Sequence, residues 1–387
     1  MLSKRSKNIN PQPMFKILLK SKELEEKGKT IIHLEIGDSS PYQNIRMREL
    51  IQKNLSSSNS LAYSPSEGEP RLREILASHY TNLCKFTFVK DNVVVTPANA
   101  SISQLFNILC DDNDVILMPD PGFPTYALSA NFNQVKFITY KLMEENKYQI
   151  KQKEIYSIIN LNPGIKLIVI NNPSNPLGVF QDVKTIDNII DFCFKKGIYV
   201  LIDDTYRNLI YKENYPRIQH KKNVVYIYSL SKDTAAPAIR IGCVIGDEAI
   251  VKKIANHNSL FYSCLPKFIQ LAAADYLTED HRVFRSAMRD EMIKRINNVC
   301  RIFTKANKIT FIKPNSGIYF FLNISASGMD GEEFSNYLLN KISVSVCPGI
   351  SFGPAGLYYI RICISGNESS LYEGCKKIVS IFNEVSV

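Results

Sequence analysis

The chain has 387 residues, of which 45% are hydrophobic and 22% charged, so its composition excludes a disordered or fibrous protein. At roughly 150 residues per domain, this length predicts about two to three domains. The 47 basic and 37 acidic residues leave a formal charge of +10, but the lysines are spread along the chain without a recognisable nucleic-acid-binding motif. The charge is therefore interpreted as solvated surface lysine, and we expect no nucleic-acid or membrane partner.

The N-terminal part of the sequence predicts a helix and a turn rather than a targeting signal. Its only apolar run, residues 14–19, is interrupted by Lys16, and no small-residue cleavage site follows. Residues 16–27 predict a charged helix, and Gly37 and Asp38 predict a turn. We expect residues 1–43 to pack with a smaller domain formed by the other end of the chain.

In the middle of the chain, short β-branched runs alternate with helical stretches, which is typical of α/β units around a largely parallel sheet. The predicted strands are residues 93–96, 114–118, 135–140, 166–171, 199–203, 224–229 and 241–245. Residues 100–110 and 184–196 predict helices, the second with apolar residues at helical spacing. Residues 44–280 are therefore predicted to form a large α/β domain.

After residue 247 the pattern changes to a long, charge-rich helical region over residues 267–305. Strands are predicted at residues 317–324, 344–346 and 358–365. This order indicates a smaller α+β domain over residues 281–387. No run approaches the roughly 18 apolar residues of a membrane span, so none is predicted.

The nine cysteines and five histidines carry no metal-ligand or disulfide pattern. The cysteines are odd in number and contain no Cys-x-x-Cys pair, which argues against a disulfide framework and a structural zinc site. The histidines share no ligand spacing, so no metal is expected. Reduced thiols favour a cytoplasmic protein.

Polar residues follow four predicted strands at the edge where α/β sheets bind ligands. Residues 97–101 open a helix whose free N–H groups suit a phosphate, although most such turns bind nothing. Residues 171–178 form an amide-rich turn. Asp203 and Asp204 end an apolar strand, where an unpaired carboxylate would be costly to bury, and Lys232 follows another strand. Viewed singly, a lysine at such a strand end is more often a surface residue.

Together, these residues resemble the class I/II aminotransferase family of fold-type I pyridoxal-phosphate (PLP) enzymes. The resemblance implies a mostly parallel central sheet with a smaller α+β domain, and it covers nearly the whole chain. The motifs that carry it are Leu34-Glu35-Ile36-Gly37-Asp38, Tyr63-Ser64-Pro65, Asp120-Pro121-Gly122-Phe123-Pro124-Thr125-Tyr126, Asn175-Pro176-Leu177-Gly178, Ser229-Leu230-Ser231-Lys232, Pro314-Asn315-Ser316-Gly317 and Tyr359-Ile360-Arg361.

The resemblance implies that Lys232 forms a Schiff base with PLP and moves the substrate's α-proton. Asp203 would face the pyridine nitrogen, with Asp204 as the rival. Tyr206 and Asn175 would reach the phenolic oxygen of PLP. Phe123 would stack on the ring, although it could also be an apolar loop anchor.

Further contacts are implied for the phosphate of PLP. Arg240, Ser229 and the turn formed by Ala98, Asn99 and Ala100 would bind the PLP phosphate. Ala98 stands where the family often has glycine. Tyr63 would reach the phosphate of the neighbouring subunit, which implies a homodimer.

For the substrate, the resemblance implies that Arg361 clamps the α-carboxylate, near the backbone of Gly37 and the side chain of Asn175. No second arginine is assigned to a substrate side chain, so the donor is left open. We expect an aminotransferase that moves the amino group of an L-amino acid to a 2-oxo acid. The alternatives are a PLP-dependent lyase or amino-acid cyclase, or a DNA-binding regulator with an aminotransferase-like body.

Overall fold

A seven-stranded sheet forms the centre of the larger part of the molecule. The computed structural model describes residue 9 and residues 11–39, 44–212, 215–306 and 308–385. The strands in this part of the chain are β1 (Ile32–His33), β2 (Val93–Val95), β3 (Val115–Asp120), β4 (Lys136–Lys141), β5 (Ile165–Asn171), β6 (Tyr199–Asp203), β7 (Val224–Ser229), β8 (Gly242–Ile245), β9 (Thr310–Phe311), β10 (Tyr319–Asn323), β11 (Val344–Ser345), β12 (Cys347–Pro348) and β13 (Tyr359–Cys363).

The helices pack on both faces of this sheet and around a second, smaller sheet. They are α1 (Pro13–Glu26), α2 (Ile45–Leu55), α3 (Pro70–Leu83), α4 (Ala98–Leu109), α5 (Pro124–Phe132), α6 (Gln152–Leu161), α7 (Val183–Lys196), α8 (Leu230–Asp233), α9 (Glu248–Tyr262), α10 (Lys267–Thr278), α11 (Arg282–Phe303), α12 (Gly331–Ile342) and α13 (Glu368–Val385). The helical region predicted over residues 267–305 is thus two helices, because the backbone is extended at Glu279.

The seven strands have the order β2-β8-β7-β6-β5-β3-β4. All neighbours are parallel except β8, which is antiparallel to both β2 and β7. Each strand predicted between residues 93 and 245 is present, with bounds that differ by only a few residues. The predicted α/β fold class with a mostly parallel central sheet is confirmed.

Apolar side chains alternate between the two faces of the sheet, as strand geometry requires. In β6, Val200 and Ile202 belong to the core beneath α3, α6, α7 and α10. Leu201 belongs to the opposite core, which contains residues of α4, α5 and α9. Helices therefore cover both faces, and the polar carboxyl ends of the strands are left as the place for a site.

The smaller sheet has the order β12-β13-β10-β9 and is antiparallel. Its core combines residues of α11, α12 and α13 with β10 and β13. Leu34, from the N-terminal segment, belongs to the same core, and β1 pairs in parallel with β11. The domain boundaries at 43/44 and 280/281 stay a prediction, and the first adjoins residues 40–43, which lie outside the described part of the chain.

None of the helices in the described ranges is both long enough and apolar enough to span a membrane.

Candidate active site

A cavity of about 470 Å³ opens at the carboxyl ends of β5, β6 and β7. A volume of about 300–1,000 Å³ is typical of a small-molecule site. Ten of the residues predicted from the sequence line this cavity: Gly37, Ala98, Asn99, Phe123, Asn175, Asp203, Tyr206, Ser229, Lys232 and Arg240. The structure therefore brings together residues that are far apart in the sequence.

Lys232 lies in the short helix α8, directly after β7. Its Nζ donates a hydrogen bond of 2.7 Å to the carbonyl oxygen of Gly37. Burial lowers the pKa of the Lys232 amine, because the charged form loses its hydration. The neutral amine is therefore available at a lower pH than on an exposed lysine, as a nucleophile or proton acceptor requires.

Asp203 ends β6 and is almost completely buried. Its carboxylate accepts hydrogen bonds of 2.6 Å from the hydroxyls of Tyr126 and Thr205. Burial raises the pKa of the Asp203 carboxyl, although these hydrogen bonds oppose the rise. No basic side chain of the described ranges forms an ion pair with it. A buried carboxylate in this state suits a cationic ligand atom in the cavity.

Strand alternation separates Asp203 from Asp204. Asp203 lies on the face that carries Leu201 and Tyr126, and it lines the cavity. Asp204 faces the other way and accepts a 3.3 Å hydrogen bond from Tyr80. Burial raises the pKa of Asp204 to about 6. The geometry thus places only the first of the two carboxylates in the cavity.

One end of the cavity is suited to an anion. Helix α4 begins at Ala98, and none of the described side chains caps its first N–H groups. A Cβ on Gly242 would lie 2.9 Å from the Ala98 nitrogen, so glycine lets β8 lie close to the helix start. The Ser229 hydroxyl and the exposed guanidinium of Arg240 line the same cavity. A helix N-terminus, a hydroxyl and an arginine are the groups that bind phosphates in proteins.

Arg361 lies in β13 and is completely buried. Its Nη1 donates a 3.0 Å hydrogen bond to the Asn175 side-chain oxygen, and its Nη2 donates to the carbonyl oxygen of Glu35. Its Nε has no hydrogen-bond partner among the described residues. Arg361 does not itself line the cavity, but Asn175 and Tyr319, which it contacts, do.

Two other predicted residues also lie outside the cavity lining. The backbone N–H of Ala100 already donates to the Pro97 carbonyl oxygen, at 3.0 Å. The Tyr63 side chain is 85% exposed and does not line the cavity. Their roles toward a phosphate stay predictions.

The site geometry agrees with a comparison of the whole sequence with known families. The family described as aminotransferase class I and II matches residues 29–378. The chain belongs to this family. The predicted family and enzyme class are thereby confirmed, and this protein is an aminotransferase.

Individual relatives resemble this aminotransferase over almost its whole length. The aspartate aminotransferase of Pyrococcus horikoshii is 29% identical, and the match covers 92% of each chain. A probable aspartate/prephenate aminotransferase of Aquifex aeolicus is 27% identical over 99% of each chain. The solved structure of the Thermus thermophilus aspartate aminotransferase with maleate has a TM-score of 0.92 at 20% identity, and it covers 98% of this chain and 99% of its own. At that identity the structural likeness establishes the fold.

Sequence reasoning missed two groups of cavity residues in this aminotransferase. Gln12, Met14 and Phe15 line the cavity from the start of α1, and Gln12 donates a 2.9 Å hydrogen bond to the Thr125 hydroxyl. Tyr319 lines it from the smaller sheet. No local pattern marks the α1 residues, whereas Tyr319 follows the Pro314-Asn315-Ser316-Gly317 motif and could have been examined on that ground.

A histidine bridge supports the backbone that holds Arg361. His33 Nδ1 lies 2.7 Å from Oε1 of the buried Glu35, and its Nε2 lies 3.1 Å from Oε1 of Glu25. The hydrogen bond with Glu35 is the main reason that the pKa of His33 is raised to about 9. The Glu35 carbonyl oxygen in turn accepts a hydrogen bond from Arg361.

We expect this bridge to make stability depend on pH. Because the folded-state pKa of about 9 exceeds the ordinary 6.5, the stabilisation is complete below pH 6.5 and is lost as the pH rises through 9. Urea unfolding is measured between pH 6.5 and 9 for the unaltered protein and the His33→Gln variant. As the pH rises, the free energy of unfolding should fall less steeply in the variant. Equal slopes for the two proteins would contradict the bridge.

Proposed function

We propose that this aminotransferase binds PLP through Lys232 and moves the amino group of an L-amino acid to a 2-oxo acid. One observation carries the proposal most strongly. The cavity contains a lysine with a lowered pKa, a buried carboxylate without a basic partner in the described residues, and an anion-binding end. PLP has an aldehyde, a basic ring nitrogen and a phosphate, which are the complementary groups.

The residues present fit PLP group by group. The Ala98 and Asn99 N–H groups, Ser229 and Arg240 would hold the phosphate, Asp203 the protonated ring nitrogen, and the amide of Asn175 and the hydroxyl of Tyr206 the ring oxygen. Phe123 offers an aromatic face in the same cavity. When bound, PLP supplies an electron-withdrawing ring that accommodates negative charge at the substrate's α-carbon.

The chain's own groups then bind the substrate and move its proton. Arg361 has two fixed partners, and its Nε has none among the residues that the structure describes, so its guanidinium is oriented before a carboxylate arrives. Lys232, as a neutral amine, accepts the α-proton, and the ammonium group so formed would deliver that proton to the carbon of the cofactor's former aldehyde group. The carbonyl of Gly37 accepts a hydrogen bond from the same Nζ and so restricts where this base can lie.

Arg361→Ala is expected to weaken substrate capture and leave the cofactor in place. Loss of charge-assisted hydrogen bonds to a carboxylate corresponds to a rise of about 100-fold in KM. Steady-state kinetics and the visible spectrum of the purified variant check this. The control is Arg282→Ala, which removes an exposed arginine that pairs with Asp280 on the surface. An equal loss of PLP and of substrate affinity in Arg361→Ala would place this arginine elsewhere.

The relatives named aspartate aminotransferases make L-aspartate the first donor to test. In the described part of the chain, however, the basic residues that line the cavity are Lys232 and Arg240. Both are assigned to the cofactor, so a side-chain carboxylate has no separate cation there. The donor panel therefore includes neutral aliphatic and aromatic amino acids beside aspartate.

The deciding experiment separates the two half-reactions. The holoenzyme is mixed with each donor alone, and the 2-oxo acid that forms is measured. We expect one equivalent per site without an acceptor, followed by amination of a 2-oxo acid added afterwards. Release of free ammonia, with no amination of the acceptor, would instead support the lyase alternative.

We also propose a homodimer in which Tyr63 reaches the neighbouring site. Tyr63 and Leu61 are highly exposed, and so are Leu260 and Phe261. The Ser64 N–H donates to Cys264 Sγ at 3.3 Å, which holds the first pair beside the end of α9, where the second pair lies. Clustered exposed apolar side chains are typical of an interface. Sedimentation should give twice the 44.0 kDa mass of one chain, and a single-chain mass would contradict the dimer.

A cytoplasmic location is proposed from the thiols. All nine cysteines are free, and seven of them are buried. Free thiols persist in reducing compartments. Fractionation of cells should find the protein with the cytoplasm, and recovery in an oxidising compartment would contradict this location.

A further inference from the structure

Tyr319 contacts both halves of the proposed site. It lies in β10, is buried and lines the cavity. Its hydroxyl lies 2.9 Å from the hydroxyl of Tyr206, on the cofactor side. Its ring lies under Arg361, with the guanidinium carbon 4.1 Å from the ring centre. One side chain therefore joins the proposed cofactor and carboxylate contacts.

The backbone of Gly37 fixes the position of this hydroxyl. A Cβ on Gly37 would lie 1.9 Å from the Tyr319 oxygen, so the two residues are in contact only because position 37 is glycine. The carbonyl of Gly37 also accepts the hydrogen bond from Lys232. The Tyr319 hydroxyl is thus held between Tyr206 and the backbone segment that bonds to Lys232.

The direction of the hydrogen bond between these two hydroxyls depends on what else Tyr206 binds. Burial raises the pKa of both phenols, so both keep their protons at neutral pH. A hydroxyl has a single proton to donate. If Tyr206 donates its proton to an oxygen in the cavity, its own oxygen must accept the proton of Tyr319. In such a chain of two hydrogen bonds, the bond from Tyr319 polarises the Tyr206 hydroxyl and strengthens its bond to the cavity oxygen.

The ring of Tyr319 has a separate effect on Arg361. A guanidinium over an aromatic face is attracted by the negative charge of that face, most strongly where water is excluded. Phe352 lies near the same guanidinium, with 4.8 Å between the guanidinium carbon and the ring centre. The two rings and the bond to Asn175 leave Arg361 little freedom before a ligand binds.

We propose that Tyr319 is a positioning residue that strengthens the Tyr206 hydroxyl as a donor to the cofactor and holds the Arg361 guanidinium for the substrate carboxylate. This inference rests on the proposed function. It assigns two separable effects to the two parts of one side chain. The hydroxyl acts on the cofactor, and the ring acts on the carboxylate.

Two variants separate these effects. Tyr319→Phe removes the hydroxyl and keeps the ring, so the pKa read from the pH dependence of the cofactor's absorption should rise by about half a unit. Its affinity for a carboxylate should stay within about twofold. Tyr319→Leu removes the ring as well and should weaken carboxylate binding about tenfold. The carboxylate probe is succinate or 3-phenylpropanoate, whichever binds the unaltered holoenzyme more tightly. Its dissociation constant is compared between the unaltered protein and the two variants.

The matched control is Tyr140→Phe. Tyr140 is equally buried and donates to the Val169 carbonyl oxygen at 2.9 Å, outside the cavity lining. It should leave the cofactor titration unchanged. An unshifted titration in Tyr319→Phe, or unaltered carboxylate affinity in Tyr319→Leu, overturns the inference. Turnover by the unaltered protein is measured separately and tests the proposed function. Failure of this inference can therefore be distinguished from failure of the proposed function.

Discussion

Lys232→Ala is expected to abolish covalent attachment of PLP and to lower turnover by at least about 10⁴-fold. The same amine is assigned both the bond to the cofactor and the transfer of the α-proton, so alanine removes both at once. The Nζ is held in the cavity by the Gly37 carbonyl, and burial lowers its pKa. Half-reaction kinetics and the visible absorption of the purified variant measure the two losses.

The control for this variant is Lys85→Ala. Lys85 is exposed and pairs with Asp187, and it does not line the cavity. Its removal should change turnover by less than about twofold, since an exposed ion pair contributes little. If the Lys232→Ala variant kept the cofactor band and more than about one hundredth of the turnover, the assignment of the base would be wrong.

Asp203→Asn should lower turnover by about 10³-fold, the loss expected when a group that stabilises charge in the transition state is removed. The substitution keeps the shape of the side chain and removes the negative charge that would hold the ring nitrogen protonated. The hydroxyls of Tyr126 and Thr205 lie within 2.6 Å of the carboxylate oxygens, so the position of the group is fixed. Steady-state turnover at saturating donor and acceptor measures the effect.

Asp204→Asn makes the matched comparison, because it is the same change on the other face of the sheet. Asp204 contacts Tyr80 in the core and does not line the cavity. We expect it to alter the free energy of unfolding and to leave the cofactor spectrum unchanged. The reverse pattern, with the large catalytic loss in Asp204→Asn, would exchange the two assignments.

The strand-end residues could be predicted because they follow from local pattern and sheet geometry. An apolar run that ends in Asp203 or in Ser229 marks a parallel strand, and such strands bring their carboxyl ends to one edge. The choice of Asp203 over Asp204 rested on family register in the sequence. In the structure it has a physical basis, because alternate residues of a strand face opposite sides.

The remaining contacts could not be predicted, because they join distant parts of the chain. Tyr206 and Tyr319 are 113 residues apart, the first shortly after β6 of the larger sheet and the second in β10 of the smaller sheet, so no periodicity links them. Gln12 reaches Thr125 only through the packing of α1. Arg361 was assigned from the resemblance alone. Its stacking on Tyr319 depends on the register of β10 against β13, which pairs Phe321 with Arg361 and makes Tyr319 a diagonal neighbour.

Lys232 is the residue proposed to carry the cofactor, and this bond can be located directly. Borohydride reduction of the holoenzyme would fix the bond between lysine and PLP, and peptide mass mapping would locate it. We predict one pyridoxyl group per chain, on the peptide that contains Lys232. Attachment to a different lysine, or no attachment to a protein that still transfers amino groups, would contradict this role of Lys232.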